Sequence, residues 1–183
     1  MKQFSILIFL ALSFFSCTVE ETKTTFYLIR HAEKDRSNPN DKNPSLTEKG
    51  LARAENWATY FKDIELDAVY STKYKRTMQT AQPTAESKGL TIQNYDPRSL
   101  YNVEFAKETF GKTVLVVGHS NTTPAFANQI IKENSVKSID SKSYGDMDDN
   151  DNATLYIVKF TTKGKYGEKS LSTRTERVLI TEE

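Results

Sequence analysis

The chain contains two histidines, and each follows an apolar run. Thr24-Thr25-Phe26-Tyr27-Leu28-Ile29 leads into Arg30-His31-Ala32-Glu33. Thr113-Val114-Leu115-Val116-Val117-Gly118 leads into His119-Ser120-Asn121. A neutral imidazole is a competent nucleophile near neutral pH. An arginine presents a planar fork that matches phosphate oxygens in pairs. Arg30 next to His31 therefore joins the two residue types that phosphoryl transfer onto a side chain needs, because that chemistry depends on alignment and charge stabilisation. A basic run, Lys73-Tyr74-Lys75-Arg76, precedes Thr77-Met78-Gln79-Thr80-Ala81 and offers further cations. Each feature also has a plain structural reading. A strand-end histidine can be a hydrogen-bonded structural residue, and a basic run can be a solvated face.

Chemistry at two strand ends requires a fold that brings those ends together. In open α/β sheets the crevice at the carboxyl ends of the strands is where ligands sit. Thr24–Ile29 reads as the first strand, and 34–46, rich in Asp, Asn, Ser and Pro, as a surface loop. Thr47 is a good N-cap for a helix over Glu48–Phe61, with Leu51, Ala54, Trp57, Ala58 and Phe61 on one face. Ala68–Ser71 is a short strand and Tyr74–Ala81 a helix. Pro83 is expected to kink that helix or to start a second segment, Thr84–Lys88, before Gly89. A strand over Leu90–Tyr95 and a helix over Val103–Phe110 follow, closed by Gly111. Thr113–Gly118 is the most apolar strand and belongs at the centre of the sheet, buried on both faces. Pro124 marks a helix start before Ala125–Ile131. Ala153–Phe160 reads as a strand, with Leu155, Ile157 and Lys159 on one face. Gly164-Lys165-Tyr166-Gly167 reads as a turn into a last strand over Ser170–Ile180, an antiparallel edge or hairpin. Alternating strands and helices predict an α/β fold, a three-layer α/β/α sandwich with a mainly parallel central sheet.

Composition places this within one globular domain. The 183 residues are 37% hydrophobic and 27% charged, and 25 basic residues face 24 acidic ones. That balance provides no global field for nucleic acid. The start of the chain stands apart. Met1-Lys2 precedes an apolar run, Ile6–Phe15, of about 10 residues, too short for a membrane-spanning helix, which needs about 20. It reads as a signal peptide over residues 1–16. Its removal leaves 24 basic and 24 acidic residues. Ser16-Cys17 follows, and Cys17 is the only cysteine. The pattern resembles the lipobox of bacterial lipoproteins, although Phe14 and Phe15 depart from its usual small and leucine residues. The resemblance implies lipidation at Cys17, a tether over 17–23, a domain over 24–183, and export to the periplasmic side of a bacterial membrane. An ordinary cleaved signal giving a soluble periplasmic or secreted protein is the other reading. A lone cysteine leaves no internal disulfide, so the fold must stand on its core.

Three motifs carry a further resemblance. Arg30-His31-Ala32-Glu33, the Ser71…Arg76…Thr80-Ala81 pattern and Gly118-His119 occur in order, each at a predicted strand end. In this the chain resembles the histidine phosphatase superfamily, the phosphoglycerate mutase-like fold, over roughly residues 24–160. The resemblance implies His31 as the nucleophile that becomes phosphohistidine. It implies Arg30, Arg76 and His119 as phosphate ligands, with Arg76 preferred to Lys75 because its spacing to Thr80-Ala81 matches. Asn121, at a helix start, is a further position that could contact phosphate. Glu33 is expected to orient neighbours. No metal or other cofactor is implied, since the arginines supply the charge that Mg²⁺ supplies elsewhere.

The proton donor for the leaving group is less well marked. Ser120 follows His119, so the His-Asp form of the phytase-like branch is absent. Asp96, Glu104 and Glu108 follow the third strand, and Glu104 loosely resembles the acid position of the mutase branch. Asp146–Asp151 lacks the glycine and glutamate of a calcium-binding loop and reads as a solvated turn before a strand. The expected activity is metal-independent hydrolysis of a small phosphomonoester. A mutase is disfavoured by the short chain and the leader. The alternative is a phosphate-binding lipoprotein that keeps the pocket without turnover. Loop 34–46 and segments 96–104 and 134–152 are expected to line the substrate. Neither the substrate nor the oligomeric state can be read from the sequence.

Overall fold

The structure, a computed structural model, describes residues 20–135, 143–163 and 168–178. The signal peptide, Cys17, the start of the tether, the expected turn at 164–167 and the end of the last strand lie outside the described residues. Six strands and four helices follow one another as β1 (Glu21–Arg30), α1 (Glu48–Phe61), β2 (Ala68–Ser71), α2 (Lys75–Ser87), β3 (Ile92–Asn94), α3 (Val103–Thr109), β4 (Thr113–Gly118), α4 (Thr122–Asn134), β5 (Thr154–Lys163) and β6 (Glu168–Arg177). They form one sheet in the order β3-β2-β4-β1-β5-β6. The first four of these pair in parallel, β5 runs antiparallel to β1, and β6 antiparallel to β5. The fold class read from the sequence is the one observed.

Period-two alternation along each central strand divides the core into two layers. Phe26 and Leu28 of β1 join Val114 and Val116 of β4 under α3 and α4, with Phe105, Phe126 and Ile130. Tyr27 and Ile29 join Leu115 and Val117 on the opposite face, with Trp57 and Phe61 of α1 and Ala81 and Ala85 of α2. Both central strands are therefore buried on both faces, as their unbroken apolar runs require. The register sets Arg30 opposite Gly118, and the amide of His31 donates to the Gly118 carbonyl at 2.9 Å. This pairing makes the two histidines neighbours.

Several local expectations are corrected. Strand β1 begins at Glu21, because Glu21–Lys23 pair with Lys163–Thr161 of β5. The end of the expected tether is therefore sheet. Leu51 is 47% exposed, and the buried face of α1 runs through Gly50, Arg53, Ala54, Trp57 and Phe61. Gly50 has a steric reason: a Cβ there would lie 2.2 Å from the Glu33 carbonyl oxygen. Helix α2 runs unbroken through Pro83. Thr80, Ala81, Thr84 and Ala85 are buried on either side of that proline, and their packing outweighs the lost hydrogen bond. Strand β3 is only three residues long. In β5 Lys159 is exposed while Leu155 to Val158 are all buried, so that strand packs on both faces.

Candidate active site

At the carboxyl ends of β1, β2 and β4 a cleft of about 430 Å³ is lined by Arg30, His31, Arg76, His119, Asn121 and Asp149, among others. Each side chain arrives there by a local cause. His31 follows Arg30, the last paired residue of β1, and is 3% exposed. The next amide, that of Ala32, donates to Thr80 Oγ1 at 2.9 Å, which docks the strand end on α2. Asn152 Nδ2 donates to the His31 carbonyl at 2.8 Å. On the ring, Nδ1 lies 2.8 Å from the Ala32 carbonyl. A carbonyl only accepts, so Nδ1 carries the proton and Nε2 keeps its lone pair.

His119 lies across from it, with ring centroids 5.6 Å apart. Gly118 allows the tight approach beneath it, since a Cβ would meet Thr123 Oγ1 at 2.8 Å and the Tyr95 hydroxyl at 2.9 Å. Nε2 of His119 lies 3.0 Å from Thr72 Oγ1, which lies 2.9 Å from Thr77 Oγ1. Nδ1 of His119 faces Arg76 Nη2 at 3.5 Å. Thr77 Oγ1 spends its proton on the Thr72 and Tyr74 carbonyls, so the Thr72 hydroxyl donates to Thr77 and accepts from Nε2–H of His119, whose Nδ1 keeps its lone pair toward Arg76. Tyr74 packs edge-on to His119 and covers the Arg76 guanidinium at 4.4 Å.

Burial holds both imidazoles neutral. It lowers His31 to about 3, with the Arg30, Arg76 and His119 charges adding to the effect. Burial also lowers His119 to about 4, aided by Arg76, Arg30 and Lys34. Arg76 keeps Nε and Nη1 buried without a partner among the described residues, leaving donors for an anion in the cleft. The N-terminus of α4 adds to this, because Ser120, Asn121 and Thr122 line the cleft and the Asn121 side chain makes no cap hydrogen bond.

Arg30 likewise keeps a buried Nε without a partner among the described residues, but its other two nitrogens are engaged. Its Nη1 donates to the Asp148 carbonyl at 2.8 Å and the Asp151 carbonyl at 3.3 Å, and Nη2 pairs with Asp149 Oδ1 at 3.1 Å. The stretch read as a solvated turn is thus a strap across the arginine. Its flanks are tied down, by the Met147 amide to the Ser120 carbonyl at 2.9 Å and by Asn152 to His31.

The structure brings Arg30, His31, Arg76, His119 and Asn121 together at one cleft. Lys75 is exposed, outside the cleft lining. Glu33 turns away to a fork with Arg53, at 2.8 Å to Nε and 2.7 Å to Nη2. Glu104 is a correction. It lines a separate groove with Tyr101, Lys107 and Lys169, because α3 lies against the face of the sheet rather than over the strand ends. Glu108 accepts from the Tyr70 hydroxyl at 3.0 Å, and Asp96 pairs with Arg98 at 3.0 Å. The carboxylate that does line the cleft is Asp149. Lys34, Arg98 and Asp149 come from the three segments expected to line the substrate, although none of them was singled out; Tyr74 and Thr72 were not foreseen. Lys34, Tyr74 and Thr72 adjoin or lie within the motifs, a signal that proximity could have supplied. Asp149 lies 118 residues beyond His31 in a polar run, and nothing local marked it out within segment 134–152.

A mixed sheet whose first four strands are parallel thus brings two strand-end histidines and two arginines to one cleft. Residues 26–98 match the model of the histidine phosphatase superfamily (branch 1). The match ends before His119, which enters through the fold. A SixA structure from Agrobacterium tumefaciens is similar with a TM-score of 0.56 at 22% identity, covering 82% of this chain and 96% of that one. A protein histidine phosphatase SixA in complex with tungstate gives 0.55 at 15% identity, covering 84% and 96%. A mycobacterial glucosyl-3-phosphoglycerate phosphatase gives 0.51 at 12% identity, covering 86% and 98%. No curated protein matches the chain by sequence. The family model thus matches residues 26–98, and the fold is similar to the phosphoglycerate mutase-like fold of the SixA structures.

Proposed function

We propose that this chain is a phosphatase that hydrolyses a small phosphomonoester through a phosphohistidine on His31. The observation that carries this reading is the state of His31: buried, neutral, with Nδ1 held by a carbonyl and Nε2 free toward a cationic cleft. Nε2 attacks phosphorus as the ester P–O bond breaks, and the leaving oxygen departs with the bonding pair. Water then attacks phosphorus, the P–N bond breaks, and inorganic phosphate leaves with the imidazole neutral again. Arg76, with free guanidinium donors, and Arg30 meet the charge of the transferring group. Two cationic forks and a helix N-terminus provide that stabilisation without a metal. The structural neighbours named as phosphatases support the same chemistry, while their differing substrates leave this one open.

The test uses the full chain and an activated aryl phosphate in the presence of chelator. Turnover that His31→Ala abolishes is expected, with rapid-quench labelling trapping an acid-labile phosphoprotein. Wild-type activity no higher than that of His31→Ala would overturn the proposal. One observation favours the alternative, a phosphate-binding protein without turnover. The cleft's carboxylate, Asp149, is held below its usual range by Arg36 and then Arg30, so it is a poor proton donor. Saturable phosphate binding without a trappable intermediate would support that alternative. We further propose that the leader exports the chain and that Cys17 carries the lipid anchor. Intact mass of membrane-extracted protein should equal the chain from Cys17 plus acyl groups; an unmodified mass would remove the anchor.

A further inference from the structure

We infer that Asp149 is an internal anion that competes with the substrate's phosphoryl group for Arg30 and thereby sets the affinity of the cleft for phosphate. The inference rests on the reading of this cleft as a phosphoryl site. Four observations carry it. Arg30 is 2% exposed, so its guanidinium needs a partner where it lies. Its aim is set by main-chain carbonyls, since Nη1 is held by those of Asp148 and Asp151. The Asp149 carboxylate therefore does a different job, occupying Nη2 at 3.1 Å. That side chain is 69% exposed at the tip of the strap, and its other oxygen is held at 3.2 Å by Arg36, which is itself 53% exposed.

The contact is thus weak at its outer end and firm at its inner one. Exposed pairs of this kind are screened and exchange readily. A phosphoryl dianion entering beside His31 brings twice the charge of the carboxylate to the same guanidinium. It displaces Asp149 from Nη2, and the carboxylate swings outward with Arg36 while the carbonyl anchors stay. Asp149 also repels any dianion in the cleft, because both lie within a few ångströms of one cation. The strap therefore lowers the affinity for phosphate, the product, as well as for substrate, and so favours release.

The experiment compares full-length wild type with Asp149→Asn and Asp149→Ala. Inorganic phosphate binding is measured by calorimetry, and kcat and KM on aryl and alkyl phosphates. The amide keeps the shape and loses the charge. Both variants are expected to bind phosphate about fivefold more tightly, the effect of removing one like charge a few ångströms away in a wet site. KM should fall in parallel. Unchanged or weaker phosphate binding overturns the inference, the latter making Asp149 a support for Arg30. A loss of kcat on alkyl but not aryl phosphates also overturns it, by making Asp149 the proton donor. Wild-type protein that binds phosphate without turnover, with tighter binding in the variants, would sink the phosphatase proposal and leave this inference standing.

Discussion

The two histidines follow neighbouring strands, each one residue beyond the register pair Arg30 and Gly118, yet they are held by different chemistry. His31 is tied through Nδ1 to the carbonyl of the next residue, a partner that can only accept. His119 is tied through Nε2 to the Thr72 hydroxyl, which passes the bond to Thr77. The first arrangement places the proton on Nδ1; the second places it on Nε2. A nucleophile needs its lone pair in one place throughout the cycle. His119 instead turns its Nδ1 lone pair toward Arg76 Nη2, which orients that guanidinium in the cleft. The contrast shows how two strands with similar apolar runs can deliver the same residue type to different roles. The distinction lies in the group that receives the far side of the ring.

The largest expected effect comes from His31. His31→Ala should lower kcat on an aryl phosphate at least ~10³-fold while phosphate binding persists. Equal residual rates in wild type and variant would end the comparison, since His31 would then not be the covalent ring. His119→Ala should cost less, on the order of 10²-fold, because it removes stabilisation of charge rather than the nucleophile. If it cost as much as His31→Ala and also left no trappable phosphoprotein, the roles would need to be exchanged. Thr72→Val breaks the relay beneath His119 and should lower kcat/KM ~10-fold, the order of one lost hydrogen bond. The same variant should leave the His31 ring signals unmoved in long-range nitrogen NMR spectra.

Proton binding tests both rings at once. Folded values of about 3 and about 4 lie below the ordinary 6.5. Between pH 6.5 and about 4 the unfolded chain therefore binds protons that the folded chain refuses, so stability must fall as the pH falls through that window. With only two histidines in the chain, both imidazole signals can be followed directly. Neither should titrate above pH 5 in phosphate-free buffer. A midpoint near 6.5 for either would show that its ring is wetter than the fold indicates. The smallest effect is assigned to Glu104→Gln. It should leave kcat and KM unchanged within error, because that carboxylate lies in a separate groove from both histidines. A tenfold loss there would restore it as the acid.

Much of this was legible in the residues. Thr47 was expected to cap α1 and does, accepting from the Gly50 amide at 3.1 Å. The bounds of α1, β2 and β4 were read without error, because their caps and apolar runs are local signals. Pro83 misled for the same reason. Its local preference is to end a helix, and the burial of Ala81, Thr84 and Ala85 on the sheet overrode it. Leu51 misled because hydrophobic spacing marks a face without stating how wide the covered stripe is.

By itself the sequence determined the sheet, its two-sided central strands and the residue types delivered to their ends. Those depend on periodicity and on motifs of a few residues, which are short-range properties. Only the tertiary structure decided which nitrogen of each ring is free, that Glu104 faces away, and that Asp149 reaches Arg30 across 119 residues of chain. The physical reason is the same in each case. A hydrogen bond is set by distances of about 3 Å, and between residues remote in sequence those distances are fixed only when the sheet register and the strap anchors are in place. The two histidines could be found in the sequence. What distinguishes them is held by an alanine carbonyl on one side and a threonine hydroxyl on the other.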